Sequence, residues 1–338
     1  MLHPFSNSQQ VSIETLEQYA LKKINEDRAT FNLPPVQLSL NYAAQSHADE
    51  LLKTETLSHW TLDGMKPYMR YSVYGGNDSV TQNVAEEKYG MKSETIWNME
   101  KDTNDNDNNI HSSDIGGQMQ IFLCKLGIPS CLNTIDNPFK AIDDLEYKMV
   151  YDDAKCCDNG HRFNILDGNH TNVSLGIAFN KFYFAFVQNF ENKDTIWNQP
   201  ITFNNTTKMV SLSGQIKKPN TNFSGISISY DPLSSKQIYD DNHDRESYDS
   251  GKEIAWVVKN IPSSYYDNEI KRQDDGSIGL VSAYKWNVQN QNPNSVFDVS
   301  FPLQKLIEKY GKGVYTINAF YDKDGDLYQA TSKSIFIK

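Results

Sequence analysis

The chain has 338 residues, which exceeds the usual size of one hydrophobic core and favours two domains. Its formal net charge of -11 at pH 7 argues against a nucleic-acid or anionic-membrane partner, because the surface field would repel either. No run of about 18 apolar residues occurs, so no membrane-spanning helix is predicted.

Two amphipathic helices are predicted near the start of the chain. Apolar residues recur at three- and four-residue spacing over 13–24 and, more strongly, over 40–51. Pro34 and Pro35 separate these segments, because proline removes an amide donor and restricts the residue before it. His47 shares the apolar face of the second helix, so we expect it to pack against the core.

A third helix and a β-hairpin are predicted further along the first half. The helix covers about 139–150. From 173 to 186 the apolar period changes to two, across a turn at Asn180, which predicts the hairpin. Residues 90–138, with an Asn- and Asp-rich stretch, are predicted to be an insertion with one short helix.

The second half is predicted to be a separate all-β domain. Residues 196–207 are rich in Asn, Pro and Thr and indicate a linker between a first domain, 1–195, and a second, 208–338. About seven short strands with turn signals favour an antiparallel, immunoglobulin-like sandwich. The alternating runs cover 210–216, 226–230, 254–258, 278–286, 296–301, 314–321 and 328–337.

Four cysteines lie in one stretch of the first half. In an oxidising compartment they can form two disulfides, and three pairings are open. A zinc knuckle is the rival interpretation, but the spacing lacks a Cys-x-x-Cys pair. The residues are Cys124, Cys131, Cys156 and Cys157.

Export from the cell is compatible with the sequence. The first ten residues lack the basic and apolar blocks of a signal peptide, as a trimmed chain would. Several Asn-x-Ser/Thr sequons permit glycosylation of an exported chain. They begin at Asn77, Asn169, Asn172, Asn204, Asn205 and Asn222.

Short sequence blocks in the first half are specific in their order and spacing. They include NEDR at 25–28, LPPVQL at 33–38, NYAA at 41–44, LSHW at 57–60, QNVA at 82–85, GHRFNIL at 160–166 and VQNF at 187–190. Together they resemble the CAP superfamily of cysteine-rich secretory proteins, antigen five and pathogenesis-related proteins, in its microbial form, over about 12–190. The resemblance implies an α/β/α sandwich, so the chain as a whole is expected to be α+β.

The resemblance also implies a cleft that gathers two histidines and two acidic residues, and that binds a divalent metal in some members. The histidines are His59 and His161. Gln82, before Asn83, stands where the first acid is usual, and an amide oxygen is a poorer zinc ligand than a carboxylate. Glu86 would compensate from one helical turn later if this segment were helical.

The second acid of the cleft is assigned to Glu146, fifteen positions before His161. It lies on the predicted helix, where the resemblance places this acid. Asp152 and Asp153 are rivals that lie closer to the histidine. Arg162 is expected to brace the cleft through an ion pair.

Other motifs carry weaker signals. Residues 322–326 begin like a calcium loop, but Asp-Gly is a favoured hairpin turn and no glutamate closes a twelve-residue loop. Cys156 or Cys157 near His161 invites a Cys-His nucleophile, which a disulfide would remove. His170 is expected in an exposed turn.

These observations predict a secreted or cell-surface protein without catalytic activity. Its cleft would bind a small ligand or a divalent cation such as zinc, and its β-sandwich would contact a surface or a protein. One alternative is a metal-assisted hydrolase of extracellular peptide or cell-wall material, with water activated between His59 and His161 and Glu146 as general base. A lipid carrier is the other alternative, and it requires an apolar groove.

Overall fold

The computed structural model describes residues 11–89, 135–259, 278–290 and 294–338. Most of the predicted insertion, with Cys124 and Cys131, lies outside the described residues. Helices and strands are numbered below among the described residues alone. None of these helices is both long and apolar enough to cross a membrane.

The first half contains the predicted helices and the predicted hairpin. Ser12 caps the first helix by accepting a hydrogen bond from the backbone N–H of Thr15, and Asn137 caps the helix that follows it. The elements are α1 (Ile13–Thr30), β1 (Gln37–Leu38), α2 (Ala43–Thr54), α3 (Pro67–Val73), β2 (Ser79–Lys88), α4 (Pro138–Tyr151), a 3-10 turn (Asp153–Lys155), α5 (Gly160–Leu166), β3 (Asn172–Phe179) and β4 (Tyr183–Asn192).

Helices cover both faces of a four-stranded sheet with the order β1-β3-β4-β2. Side chains of β4 alternate between the faces: Phe184 and Phe186 pack with α1 and α4, whereas Ala185 and Val187 pack with α2. Among the residues that the structure describes, strand β2 pairs only with β4 in this sheet and forms its edge. The edge matters for function because the candidate site lies beside it.

Strand β3 approaches helix α2 closely at Gly176. A Cβ atom at this position would lie 2.2 Å from the carbonyl oxygen of Ala44. Only glycine leaves room for this contact, so Gly176 sets the distance between the sheet and α2.

The second half contains two sheets whose buried side chains form one hydrophobic cluster. The elements are β5 (Thr195–Asn204), β6 (Met209–Ile216), β7 (Thr221–Asp231), α6 (Lys236–Asn242), β8 (Lys252–Val258), β9 (Gly279–Ser282), β10 (Lys285–Asn290), β11 (Ser295–Pro302), α7 (Gln304–Tyr310), β12 (Gly313–Lys323), β13 (Asp326–Gln329) and β14 (Lys333–Ile337). Strand orders are β10-β11-β6-β5 in one sheet and β13-β12-β7-β8-β9 in the other, where β14 also pairs with β12.

Two expectations for the second half differ from the structure. The sheets are not purely antiparallel, because β8 and β9 pair in parallel; parallel strands need a long connection, and residues 259–278 separate these two. The segment expected as a linker, 196–207, is largely strand β5. The strand lacks a clear alternating pattern in the sequence, because Ile201 is its only buried apolar residue and Ile196 is exposed.

The two halves meet through a buried ion pair and an apolar cluster. Lys66, at the start of α3, places its Nζ 2.7 Å from Oδ1 of Asp231 and 2.5 Å from Oδ1 of Asp249. The hydroxyl of Tyr68 donates to Oδ2 of Asp231 at 2.7 Å. Apolar residues from both halves surround this contact, among them Met69, Val80, Val314 and Phe336.

Replacing Gly176 with alanine should destabilise the protein by about 2 kcal/mol, because the new methyl group forces backbone atoms of α2 apart from β3. Urea unfolding followed by circular dichroism measures the change. Gly168→Ala is the control, since its Cβ would meet only Cδ2 of Leu33 at 3.5 Å, an ordinary contact. Equal stability of the two variants would contradict the close packing.

Replacing Lys66 with methionine should lower the free energy of unfolding by about 3 kcal/mol, because it leaves the buried carboxylate of Asp231 without its cation. Lys236→Met is the matched control: Lys236 lies 2.7 Å from Asp240, but its side chain is 75% exposed. Exposed pairs contribute less than about 1 kcal/mol. Similar losses in the two variants would refute the assigned importance of the buried pair.

Candidate functional site

The candidate site lies beside edge strand β2, where residues from both faces of the first sheet converge. Gln82 faces the side of α2 and contacts His59. Its neighbour Asn83 faces the other side, where its Nδ2 donates to the carbonyl of His161 at 3.1 Å. The Nδ2 of Asn164 in turn donates to Oδ1 of Asn83 at 2.8 Å. Strand alternation therefore lets two adjacent amides hold the two histidine segments.

A cavity of about 570 Å³ joins these residues to the second half of the chain. His59, Gln82, Asn83 and His161 all line it, so the structure brings these predicted residues together. The second half supplies side chains of three separate segments. They include Glu246, Ser247, Tyr248, Ser250, Thr316, Asn318, Gln329 and Ser332.

His59 is held between the two halves as a neutral ring. Its Nδ1 lies 3.0 Å from Oε1 of Gln82, and a second hydrogen bond joins the ring to the backbone of Glu246. The ring of Tyr248 packs edge-on at 5.0 Å, and its hydroxyl accepts from the backbone N–H of Gln82. Burial lowers the pKa of His59 to about 4, and the hydrogen bond with Gln82 only partly opposes this. His59 is therefore uncharged at neutral pH.

His161 is oriented by Asp153, a buried carboxylate in the 3-10 turn. Nδ1 of His161 lies 2.7 Å from Oδ1 of Asp153, while the other oxygen accepts from the backbone N–H of Arg162 at 3.0 Å. The acid beside the second histidine is thus Asp153, one of the two rivals, and not Glu146. The reason is local: the chain turns back after α4 and brings Asp153 against the start of α5.

Glu146 lies away from the cavity, inside the layer between α4 and the sheet. It is 1% exposed, and its Oε2 accepts from Nε2 of Gln188 at 2.6 Å. Burial raises the pKa of Glu146 to about 8, and the nearby charge of Asp27 adds to this. Glu146 is not among the residues that line the cavity, so its expected role as a cleft acid or general base stays a prediction.

Arg162 also points elsewhere. Its guanidinium lies 4.8 Å from the ring centre of Phe31 and donates to the carbonyl of Val150. It packs α5 against the helices behind it and is not a lining residue of the cavity.

The remaining expectations have mixed outcomes. Glu86 lies on strand β2, so the helical compensation for Gln82 does not exist. His47 is buried as predicted and lies 2.7 Å from the carbonyl of Ser58. His170 is 4% exposed and bonds to Asn192, so the expectation of an exposed turn is wrong. Residues 322–326 form the β12–β13 hairpin turn.

Sequence reasoning missed the contribution of the second half. Tyr248 and Glu246 come from a loop after α6, and Asn318 comes from the middle of β12. For the two loop residues the local signal is the run of polar residues at 243–250, which contains one aromatic residue, Tyr248. Their position in the cavity is a tertiary feature that no spacing rule detects.

The model of the cysteine-rich secretory protein family, CAP, matches residues 21–190. The chain belongs to this family. Solved structures similar to this CAP protein include the CAP domain of Enterococcal PrgA, at 12% identity and a TM-score of 0.28, covering 58% of this chain and 69% of that one. No curated protein matches the chain.

The cavity does not fit the divalent metal that some family members bind. His59 already has hydrogen-bond partners from both halves of the chain, and the amide Gln82 replaces a carboxylate. Glu146, the expected second acid, lies outside the cavity. Since zinc sites need free imidazole lone pairs and anionic oxygens, we derive no metal-dependent step between His59 and His161.

The buried acid Glu146 should make stability depend on pH. Its pKa is about 8 in the folded protein, against an ordinary value of 4.5, so folded chains hold a proton that unfolded chains release between these pH values. The contribution of this group to the free energy of unfolding is therefore fully present below pH 4.5. It decreases as the pH rises from 4.5 to 8, by at most about 1.4 kcal/mol per pH unit. Glu146→Gln should remove this slope. Urea unfolding of both proteins from pH 5 to 8 tests it, and parallel stability curves would contradict the raised pKa.

Proposed function

We propose that this CAP protein is a non-catalytic secreted or cell-surface protein that binds a small, neutral, hydroxyl-rich ligand in the cavity between its halves. The observation that carries the proposal is the composition of the cavity wall. Amide and hydroxyl side chains dominate it, including Asn83, Asn164, Asn318 and Gln329. Groups that both donate and accept hydrogen bonds suit a sugar, which presents both at every hydroxyl.

Aromatic side chains complete the site. Phe163 lines the cavity and is 67% exposed, so its ring face is open to a ligand. Tyr68 and Tyr248 line the inner wall. A sugar presents apolar C–H faces as well as hydroxyls, and aromatic rings bury such faces. A short oligosaccharide therefore matches the wall in size and in chemistry.

The polar wall disfavours the two alternatives. A lipid carrier needs an apolar groove, and most of the side chains that line this cavity carry a hydrogen-bonding group. A metal-assisted hydrolase needs an acid beside activated water, and the expected general base, Glu146, is not among the residues that line the cavity.

We further propose that the chain divides into a CAP domain at 1–195 and an immunoglobulin-like sandwich at 208–338 that attaches to a surface or another protein. Separate hydrophobic clusters in the two halves support the division. Most of the segment 196–207 belongs to β5, which pairs with β6 of the second half. Sequon residues Asn204, Asn205 and Asn222 are exposed, which supports export and glycosylation.

Replacing Phe163 with alanine should weaken oligosaccharide binding roughly 3- to 10-fold, because the ring no longer covers the apolar face of a sugar. Isothermal titration calorimetry with soluble chitotriose and with a disaccharide-peptide fragment of cell wall measures it.

The matched control is Tyr284→Ala, an aromatic residue that is 85% exposed and lies outside the cavity. We expect its affinity to equal that of the unchanged protein. The proposal would be refuted if no sugar tested gave binding heat, or if the two variants lost affinity equally.

A further inference from the structure

A second group of chemically active side chains lies at the rim of the cavity. Asp153, Cys156, Cys157 and His161 each offer one ligand atom, and these atoms all lie within 4.8 Å of one another. They differ from the set that the family relationship implies, since neither cysteine belongs to that set.

The local backbone explains why these residues converge. The backbone N–H of Cys157 donates to the carbonyl of Asp153 at 2.9 Å, and the N–H of Gly160 donates to the carbonyl of Cys157 at 2.8 Å. Asp158 and Asn159 between them have φ values of 49° and 64°. Left-handed residues reverse the chain sharply, so His161 returns to the carboxylate that the same turn presents.

The adjacent cysteines are bonded to each other, and their exposure makes the bond accessible. Cys156 is exposed and Cys157 is half-buried at the cavity. Exposed disulfides exchange readily with thiols. A thiolate attacks Sγ of Cys156, the S–S bond breaks and Cys157 leaves as a thiolate. A second thiol then releases the dithiol form, so that two thiols are oxidised to one external disulfide.

We propose that this vicinal pair is a reversible switch whose reduced form, together with Asp153 and His161, binds one soft divalent cation such as Zn²⁺. The reductant is a low-molecular-weight thiol or a dithiol protein. Cation binding releases two thiol protons and gives a site with two thiolates, one carboxylate and one imidazole.

The ligand set suits zinc in number, type and position. Thiolate, imidazole and carboxylate are the groups that zinc takes in four-coordinate sites. Such ligands lie roughly 3.3 to 3.8 Å apart in zinc sites. The ligand atoms here lie within 4.8 Å of one another, so the carboxylate and the imidazole need only small movements, while the two sulfurs separate once their bond is reduced. Sγ of Cys156 already lies 3.8 Å from Oδ1 of Asp153. The disulfide form excludes the cation, because its sulfurs are not thiolates.

Cation binding would also change the ligand cavity. Cys157 and His161 line that cavity, so a cation held by both replaces the bond between His161 and Asp153. The proposed switch does not depend on the sugar hypothesis, because it rests on the four ligand atoms alone.

Cadmium titration tests the switch, since Cd²⁺ bound to thiolates absorbs in the near ultraviolet. The full chain is titrated as isolated and after reduction and removal of the reductant, with free thiols counted by alkylation and mass spectrometry. We expect no thiolate band before reduction and about one Cd²⁺ per chain after it, displaced by Zn²⁺.

Two variants assign the signal to this site. Cys156→Ser with Cys157→Ser should abolish the band; the pair closes no loop between distant residues, so the variant should keep its fold by circular dichroism. The control, Cys124→Ser with Cys131→Ser, should retain the band. A reduced protein without the band, or a band that persists without Cys156 and Cys157, overturns the proposal.

Discussion

The ion pair between Lys66 and Asp231 is the interaction on which the shared cavity depends. An ammonium and a carboxylate buried together stabilise an interface only when each satisfies the other, and here Tyr68 supplies a further hydrogen bond to the same carboxylate. The pair fixes α3 of the first half against β7 of the second. Tyr68 lies on α3 and also lines the cavity, so the contact that joins the halves directly positions part of the site.

The second half of the chain determines the surroundings of His59 in the cavity. Tyr248 and Glu246 cover His59, and burial keeps that imidazole neutral. The amide Gln82 fits this arrangement, because an uncharged ring and an uncharged amide need no counter-ion when water is removed. Neutral partners at His59, together with hydroxyl and amide groups across the cavity, give this part of the molecule hydrogen-bond donors and acceptors on several sides.

Local patterns predicted the regular elements well, and tertiary contacts account for the errors. Helix α4 and the β3–β4 hairpin have clear periods in the sequence, and both were found where expected. Strand β5 was missed because most of its residues face solvent. The acid beside His161 was misassigned because Glu146 and Asp153 lie on successive elements, and only the path of the chain after α4 decides which one faces the ring.

The direct passage from β4 to β5 has a mechanical consequence. Only Lys193 and Asp194 separate these strands, and β4 is bonded to β3 on one side and to β2 on the other. Tension applied to the second half therefore enters the first along a central strand. The antiparallel hydrogen bonds of β4 lie perpendicular to the direction of this force, so the force loads many of them in shear at the same time. The junction should therefore resist extension and should not behave as a flexible linker.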